Sequence, residues 1–158
     1  MKVTVKLAEE NDVVTAHRLM LEAFEEYQHI EVPSSALNES LSSVYEKYLN
    51  GTEKILLCLI DEKPQGTMRF KVGEDALYFM RVSVSPTARG NRLATTMLNW
   101  LEEYALQLNL SKLKCRVRMS LPKNILLYES LGYFITKKET VINPNGYEVK
   151  TVVMEKAL

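Results

Sequence analysis

The chain has 158 residues, enough for one domain with a real core and too few for two comfortable ones. Apolar residues make up 46% and charged residues 25%, which argues against disorder; 20 Lys and Arg balance 20 Asp and Glu, so no net charge draws the chain to nucleic acid or to a membrane. Any attraction for an anion must therefore be local.

Met1-Lys2-Val3-Thr4-Val5-Lys6-Leu7 alternates as a strand does and lacks the apolar h-region of a signal peptide. No apolar run approaches the roughly 18 residues of a bilayer span, so a cytoplasmic location is expected. Asn11-Asp12 caps a first helix, in which Val13, Ala16, Met20, Ala23/Phe24 and Tyr27 recur at helical spacing. Pro33-Ser34-Ser35 breaks it and caps a second helix with Leu37, Leu41, Val44 and Tyr48 on one face, ended by Asn50-Gly51.

The short apolar run Ile55–Ile60 reads as a buried strand, and Asp61-Glu62-Lys63-Pro64 turns the chain back. Strands follow over Gln65–Val72 and Ala76–Ser85, joined by the Gly73-Glu74-Asp75 turn. Leu93, Met97, Trp100/Leu101, Tyr104/Ala105 and Leu108 form the clearest helical stripe in the chain. Leu113–Met119 returns as a strand, parallel to Ala76–Ser85 because a long helix separates the two. Pro122-Lys123-Asn124 opens a short helix that runs to Leu131 with Gly132 as its stop. Tyr133–Val141 and Tyr147–Met154 flank an Asn145-Gly146 turn and close the chain as strands. The outcome is an α/β (α+β) fold, in order β-α-α-β-β-β-α-β-α-β-β, with about seven strands and about four helices.

One junction points to chemistry. Between the strand ending at Val84 and the helix beginning near Leu93, the chain reads Ser85-Pro86-Thr87-Ala88-Arg89-Gly90-Asn91-Arg92. The first turn of a helix carries N–H groups without intrahelical partners, and its dipole adds positive potential there. Gly90 lets the backbone turn or approach a ligand closely, and Arg89 and Arg92 supply charged donors. The combination suits a phosphate. Walker-type and GxGxxG loops are both absent, which argues against other nucleotide folds.

Arg89-Gly90-Asn91-Arg92-Leu93-Ala94 resembles motif A of the GCN5-related N-acetyltransferases (GNAT), in which Arg or Gln is followed by two residues, Gly, one residue, then Gly or Ala. Arg89 and Ala94 match, whereas Arg92 stands where the family's middle glycine usually stands. Its side chain must point away from the pyrophosphate, or the loop must stand further from it. Leu127-Tyr128-Glu129-Ser130-Leu131-Gly132-Tyr133 resembles the family's later signature closely. The order of elements is also that of the GNAT fold, a mixed, mostly antiparallel sheet, and extends the resemblance over nearly the whole chain as a single N-acetyltransferase domain, residues 1–158.

The resemblance implies acetyl-CoA as acyl donor and a primary amine, of a small molecule or of a protein or peptide, as acceptor. Arg89 through Thr95 (Gly90, Asn91, Arg92, Leu93 and Ala94 between) would hold the pyrophosphate, and the main chain of Val82 and Val84 would bind the pantetheine arm as an added strand does. A backbone N–H on that strand would serve the acyl oxygen, and Tyr128 would return a proton to the departing thiolate. Tyr128 also fits a core position beside Leu127 and Leu131. Asn124, four residues earlier on the same helical face, is a second cofactor candidate and equally a first-turn cap.

No general base is identifiable: Tyr78-Phe79-Met80-Arg81 lacks the glutamate that family members often carry there. Glu25, Glu26, His29 and Glu31 cluster at the end of the first helix, where they would draw a cationic acceptor or simply be solvated. Cys58 and Cys115 sit in apolar runs without metal or redox spacing, and no metal is expected. The second functional class is a non-catalytic acyl-CoA-binding or regulatory module of the same fold, which the absent base and Arg92 favour. Open strand edges make a homodimer compatible with the fold.

Overall fold

The structure, a computed structural model, describes residues 1–28, 32 and 34–158. Strand β1 (Val3–Leu7) is followed by helices α1 (Val13–Phe24) and α2 (Leu41–Leu49), then by strands β2 (Lys54–Ile60), β3 (Lys63–Val72) and β4 (Ala76–Val84). Helix α3 (Leu93–Gln107), strand β5 (Lys112–Arg118), helix α4 (Pro122–Ser130) and strands β6 (Phe134–Ile142) and β7 (Glu148–Ala157) complete the chain. The strand order is β1-β2-β3-β4-β5-β7-β6. The β4–β5 pairing is parallel, as the intervening helix requires, and the β1–β2, β2–β3, β5–β7 and β6–β7 pairings are antiparallel. This is the mixed, mostly antiparallel sheet expected from the sequence. Among the described residues no helix is long and apolar enough to cross a membrane.

Strand β3 begins two residues earlier than expected, at Lys63, and β7 runs three residues further, to Ala157; the first two helices differ more. The first helix ends at Phe24, and Glu25–Tyr27 continues it as a 3-10 turn. The second helix is not continuous: Ser34 caps a 3-10 turn over Ser35–Asn38, Glu39 is extended, and α2 starts afresh at Leu41, where the Ser40 hydroxyl accepts the Ser43 N–H at 3.1 Å. Serine is among the best residues for that task, so the second start needs only local chemistry. What pulls Glu39 out of the helix is its carboxylate's partner on β3.

The chain divides into two compact units. The first comprises Met1–Lys71 and Phe79–Leu101. Its centre is β2, whose Ile55 and Leu57 pack with Val13, Ala16 and Leu19 of α1 and Val44 of α2. On the other face, the Met97 side chain of α3 comes so close to Gly66 of β3, the partner of Cys58, that an added Cβ there would lie 3.1 Å from Met97 and 3.4 Å from the Cys58 side chain. With both faces covered, β2 must be apolar throughout, which is why it reads as a run rather than an alternation. The second unit comprises Val72–Tyr78 and Glu102–Leu158; Leu113 and Cys115 of β5, Val152 and Met154 of β7 and Ala105 of α3 are buried in it.

Charge is buried in the first unit as well. The Arg69 side chain on β3 is 6% exposed; its Nε donates to Glu53 at 2.8 Å and its Nη2 to both Glu39 oxygens at 2.7 Å. Arg81 Nε lies 3.4 Å from Glu39 and Lys47 Nζ 3.3 Å from it. Burial alone would raise the Glu39 carboxyl, but the hydrogen bond and charge of Arg69, followed by the charges of Arg81 and Lys47, outweigh it and hold the carboxyl below the usual carboxylate range.

Two outcomes follow from this network. Arg69→Met strands Glu53 in a dry site and should cost about 3–5 kcal/mol in urea unfolding, most of it recovered by adding Glu53→Leu. Because the folded carboxyl titrates below its unfolded value, the Glu39 contribution is complete above about pH 4.3 and is lost as pH falls through the lowered folded value. Glu39→Gln should therefore flatten the fall of the unfolding midpoint between about pH 5 and pH 3; an unchanged acid limb would count against it.

Candidate active site

The turn after β4 folds by local hydrogen bonds. Pro86–Ala88 forms a 3-10 turn, closed by the Ala88 N–H on the Ser85 carbonyl at 2.9 Å. The Asn91 side-chain amide donates back to the Ala88 carbonyl at 2.8 Å. Gly90 takes φ +90°, and a Cβ there would meet nothing within 4 Å, so the requirement is conformational rather than spatial.

Arg92 also occupies the left-handed region, at φ +55°. Its carbonyl receives the Thr96 N–H at 3.0 Å and the Thr96 hydroxyl at 2.9 Å. Arg92 is therefore the residue that starts α3, and the N–H groups of Leu93, Ala94 and Thr95 precede the first intrahelical bond. A glycine suits this position because the backbone is left-handed there. Arginine keeps the geometry at a cost and adds a cation, which makes no ion pair among the described residues.

Arg89 is engaged: its Nη1 pairs with Glu26 at 2.8 Å, and its Nη2 donates to the Ala23 carbonyl at 3.3 Å. The structure thus joins an arginine read as a phosphate ligand to a glutamate read as an acceptor ligand, both on the surface. Glu25 is exposed beside Glu26, while His29 and Glu31 lie outside the described residues.

Just past β4, the Ser85 N–H goes to the Gln65 carbonyl of β3 at 2.7 Å, and on β4 the Ser83 carbonyl faces Gly66. By strand alternation the main-chain groups of Val82 and Val84 point to the other edge of β4. The β4–β5 register covers Ala76, Leu77 and Tyr78 against Lys112, Leu113 and Lys114 and stops before those valines. Arg81, immediately upstream, has φ +55°.

In the second unit, Tyr128 lies in α4 at 8% exposure, its ring edge-on to Tyr133 with centroids 5.8 Å apart. The Tyr133 and Leu131 N–H groups both donate to the Tyr128 carbonyl at 3.0 Å, and Gly132 ends the helix at φ +96°. Asn124 sits in the first turn, half-buried; the start of α4 has no side-chain cap, so capping is not its task. Both cysteines are buried, and burial pushes the Cys58 thiol to about 11 and that of Cys115 to about 12.

Sequence reasoning singles out none of Glu39, Arg69 and Glu53, and notes Arg81 only for the glutamate it replaces. The available signal is an arginine within an apolar strand, in Met68-Arg69-Phe70 and again in Met80-Arg81-Val82. A charge there requires a buried partner.

Known proteins agree with the fold. A GCN5-related N-acetyltransferase from Rhodopseudomonas palustris superposes with a TM-score of 0.81 at 18% identity, covering 100% of this chain and 97% of that one. The PaiA N-acetyltransferase from Thermoplasma acidophilum, solved in complex with coenzyme A, gives 0.79 at 12% identity with 100% of both chains covered. Spermidine N-acetyltransferase from Vibrio cholerae, solved with CoA and spermine, gives 0.76 at 21% identity, covering 98% of this chain and 95% of that one. No curated protein matches the sequence. The family model described as Acetyltransferase (GNAT) family matches residues 15–133, well over half of the chain and inclusive of both motifs, and the chain therefore belongs to the GNAT family of acetyltransferases.

Proposed function

We propose that the chain acts as one N-acetyltransferase domain that moves the acetyl group of acetyl-CoA to a primary amine by direct attack within a ternary complex. The observation that carries this reading is the turn into α3, where three consecutive N–H groups and a helix dipole follow directly on exposed Arg92, whose cation has no ion-pair partner among the described residues. Those groups fit a pyrophosphate, and the open space beside Gly90 lets it approach the backbone. Gly90 through Thr95, Arg92 included, form this clamp, with Arg89 joining if it exchanges Glu26 for a phosphate oxygen.

Bound acetyl-CoA supplies the activated thioester carbonyl. The main chain of Val82 and Val84 would hold the pantetheine arm in the manner of an added strand, and a backbone N–H there would donate to the carbonyl oxygen as it gains charge. Tyr128 would give its phenolic proton to the departing sulfur and recover one from the attacking amine, leaving no net charge behind. The Asn124 side chain is a further polar contact for the arm. Neither cysteine takes part, since a buried thiol with a raised pKa is a poor nucleophile. The acceptor is an amine of a small molecule or of a protein or peptide, with Glu25 and Glu26, and His29 beside them in sequence, drawing its positive charge.

Tyr128→Phe should reduce kcat in a thiol-release assay over an amine panel by about 10²-fold or more while acetyl-CoA affinity, read by calorimetry, stays within about threefold. A wild-type chain that binds acetyl-CoA yet acetylates no amine would instead favour a binding module. At the turn, Arg92→Gly removes the left-handed penalty and should raise stability by up to about 1 kcal/mol after the entropy of glycine is counted. Arg92→Ala keeps that penalty and loses a charged donor, so it should weaken acetyl-CoA binding roughly tenfold; equal affinity would remove Arg92 from the clamp.

A further inference from the structure

Five non-glycine residues among those described have left-handed backbones, and only Arg81 lies within a strand. Asp61 and Glu62 make the β2–β3 turn, and Arg92 and Asn109 flank α3. A non-glycine residue inside a strand keeps such a conformation only where its surroundings over-determine it. Here the surroundings are an alternating chain of charges: Glu53, just before β2, holds Arg69 at 2.8 Å; Arg69 holds Glu39 at 2.7 Å; Glu39 lies 3.4 Å from Arg81 Nε. The Arg81 Nη2 donates in addition to the Ser35 hydroxyl at 3.2 Å. Glu39 and Ser35 both belong to the segment between α1 and α2, so one guanidinium is gripped twice by the same stretch of chain.

The residue after Arg81 begins the Val82–Val84 stretch. A change from left-handed to extended backbone at Arg81 would reorient every peptide group that follows it. We infer that Glu39 and Ser35 are positioning residues: through the Arg81 guanidinium they hold its backbone left-handed and so set the direction in which Val82 and Val84 present their main-chain groups. The inference rests on the reading of that stretch as the acyl-CoA strand. It gives the segment between the first two helices a role in donor binding, although no residue of that segment need touch the donor.

The test separates side chain from backbone. Arg81→Gly removes the guanidinium but leaves the left-handed region freely accessible, whereas Arg81→Ala removes both. Acetyl-CoA affinity by calorimetry should fall roughly tenfold in Arg81→Ala and stay within about threefold of wild type in Arg81→Gly. Glu39→Gln and the milder Ser35→Ala should weaken affinity in the wild-type background and add nothing in the Arg81→Gly background. Equal affinities for the Arg81→Gly and Arg81→Ala variants would overturn the inference, as would a loss from Glu39→Gln that is as large in the Arg81→Gly background as in the wild type.

If Arg81→Ala does not fold, Arg81→Asn, which tolerates the left-handed region, and Arg81→Gln, which does not, should keep the same order. Melting temperatures give a reading that does not involve the donor: Arg81→Gly should melt above Arg81→Ala, and equality would overturn the claim that the grip holds a strained backbone. A wild-type chain that takes up no acetyl-CoA would remove the donor-binding half of the inference along with the proposed function, while the order of melting temperatures would still judge the grip on Arg81.

Discussion

The guanidinium of Arg69 must be neutralised where it lies, and much of the first unit is arranged to do so. A nearly dry cation beside Met20 and β2 is tolerable only with hydrogen-bonded anions in contact. Glu53 is supplied from just before β2. Glu39 is supplied by interrupting what would otherwise be one long second helix, since an extended residue between Asn38 and Ser40 lets its carboxylate reach β3. The broken helix, the serine cap that restarts it and the grip on Arg81 are then parts of one solution. An apolar residue at position 69 would leave Glu53 without its closest counter-charge, while Glu39 would keep Arg81 and Lys47.

The turn into α3 solves a different problem. A strand edge must deliver the chain into a helix with its first donors facing outward, and the route requires left-handed residues at positions 90 and 92. Gly90 meets the requirement without strain. Arg92 meets it with strain, so the conformational cost and an exposed cation sit on the same residue. The departure from the family's glycine pattern therefore leaves the left-handed backbone at position 92 in place.

What can be read from the sequence divides along the range of the forces involved. The stripe from Leu93 to Leu108, the Asn-Gly turn, the parallel β4–β5 relation and the helix-start turn all depend on residues a few positions apart, and pattern reasoning finds them. It misjudges the second helix because Glu39 answers to Arg69, thirty positions away, and no local rule announces that pairing. It does not find the ion pair of Arg89 because the partner Glu26 is separated from it by 63 positions. Asn124 has the spacing of a cap, yet α4 begins without one, a matter of side-chain direction that spacing does not encode.

The two thiols have a practical meaning of their own. With Cys58 and Cys115 buried and their thiols pushed to about 11 and about 12, only about one in a thousand or fewer would be ionised near pH 8, and neither is accessible to a reagent. Burial and the raised pKa values both disfavour reaction of the folded chain with chromogenic disulfides and alkylating agents. The chain's own thiols would therefore add little to a thiol-release assay, and a cysteine introduced on the surface would be the preferred point of attachment for a spectroscopic probe.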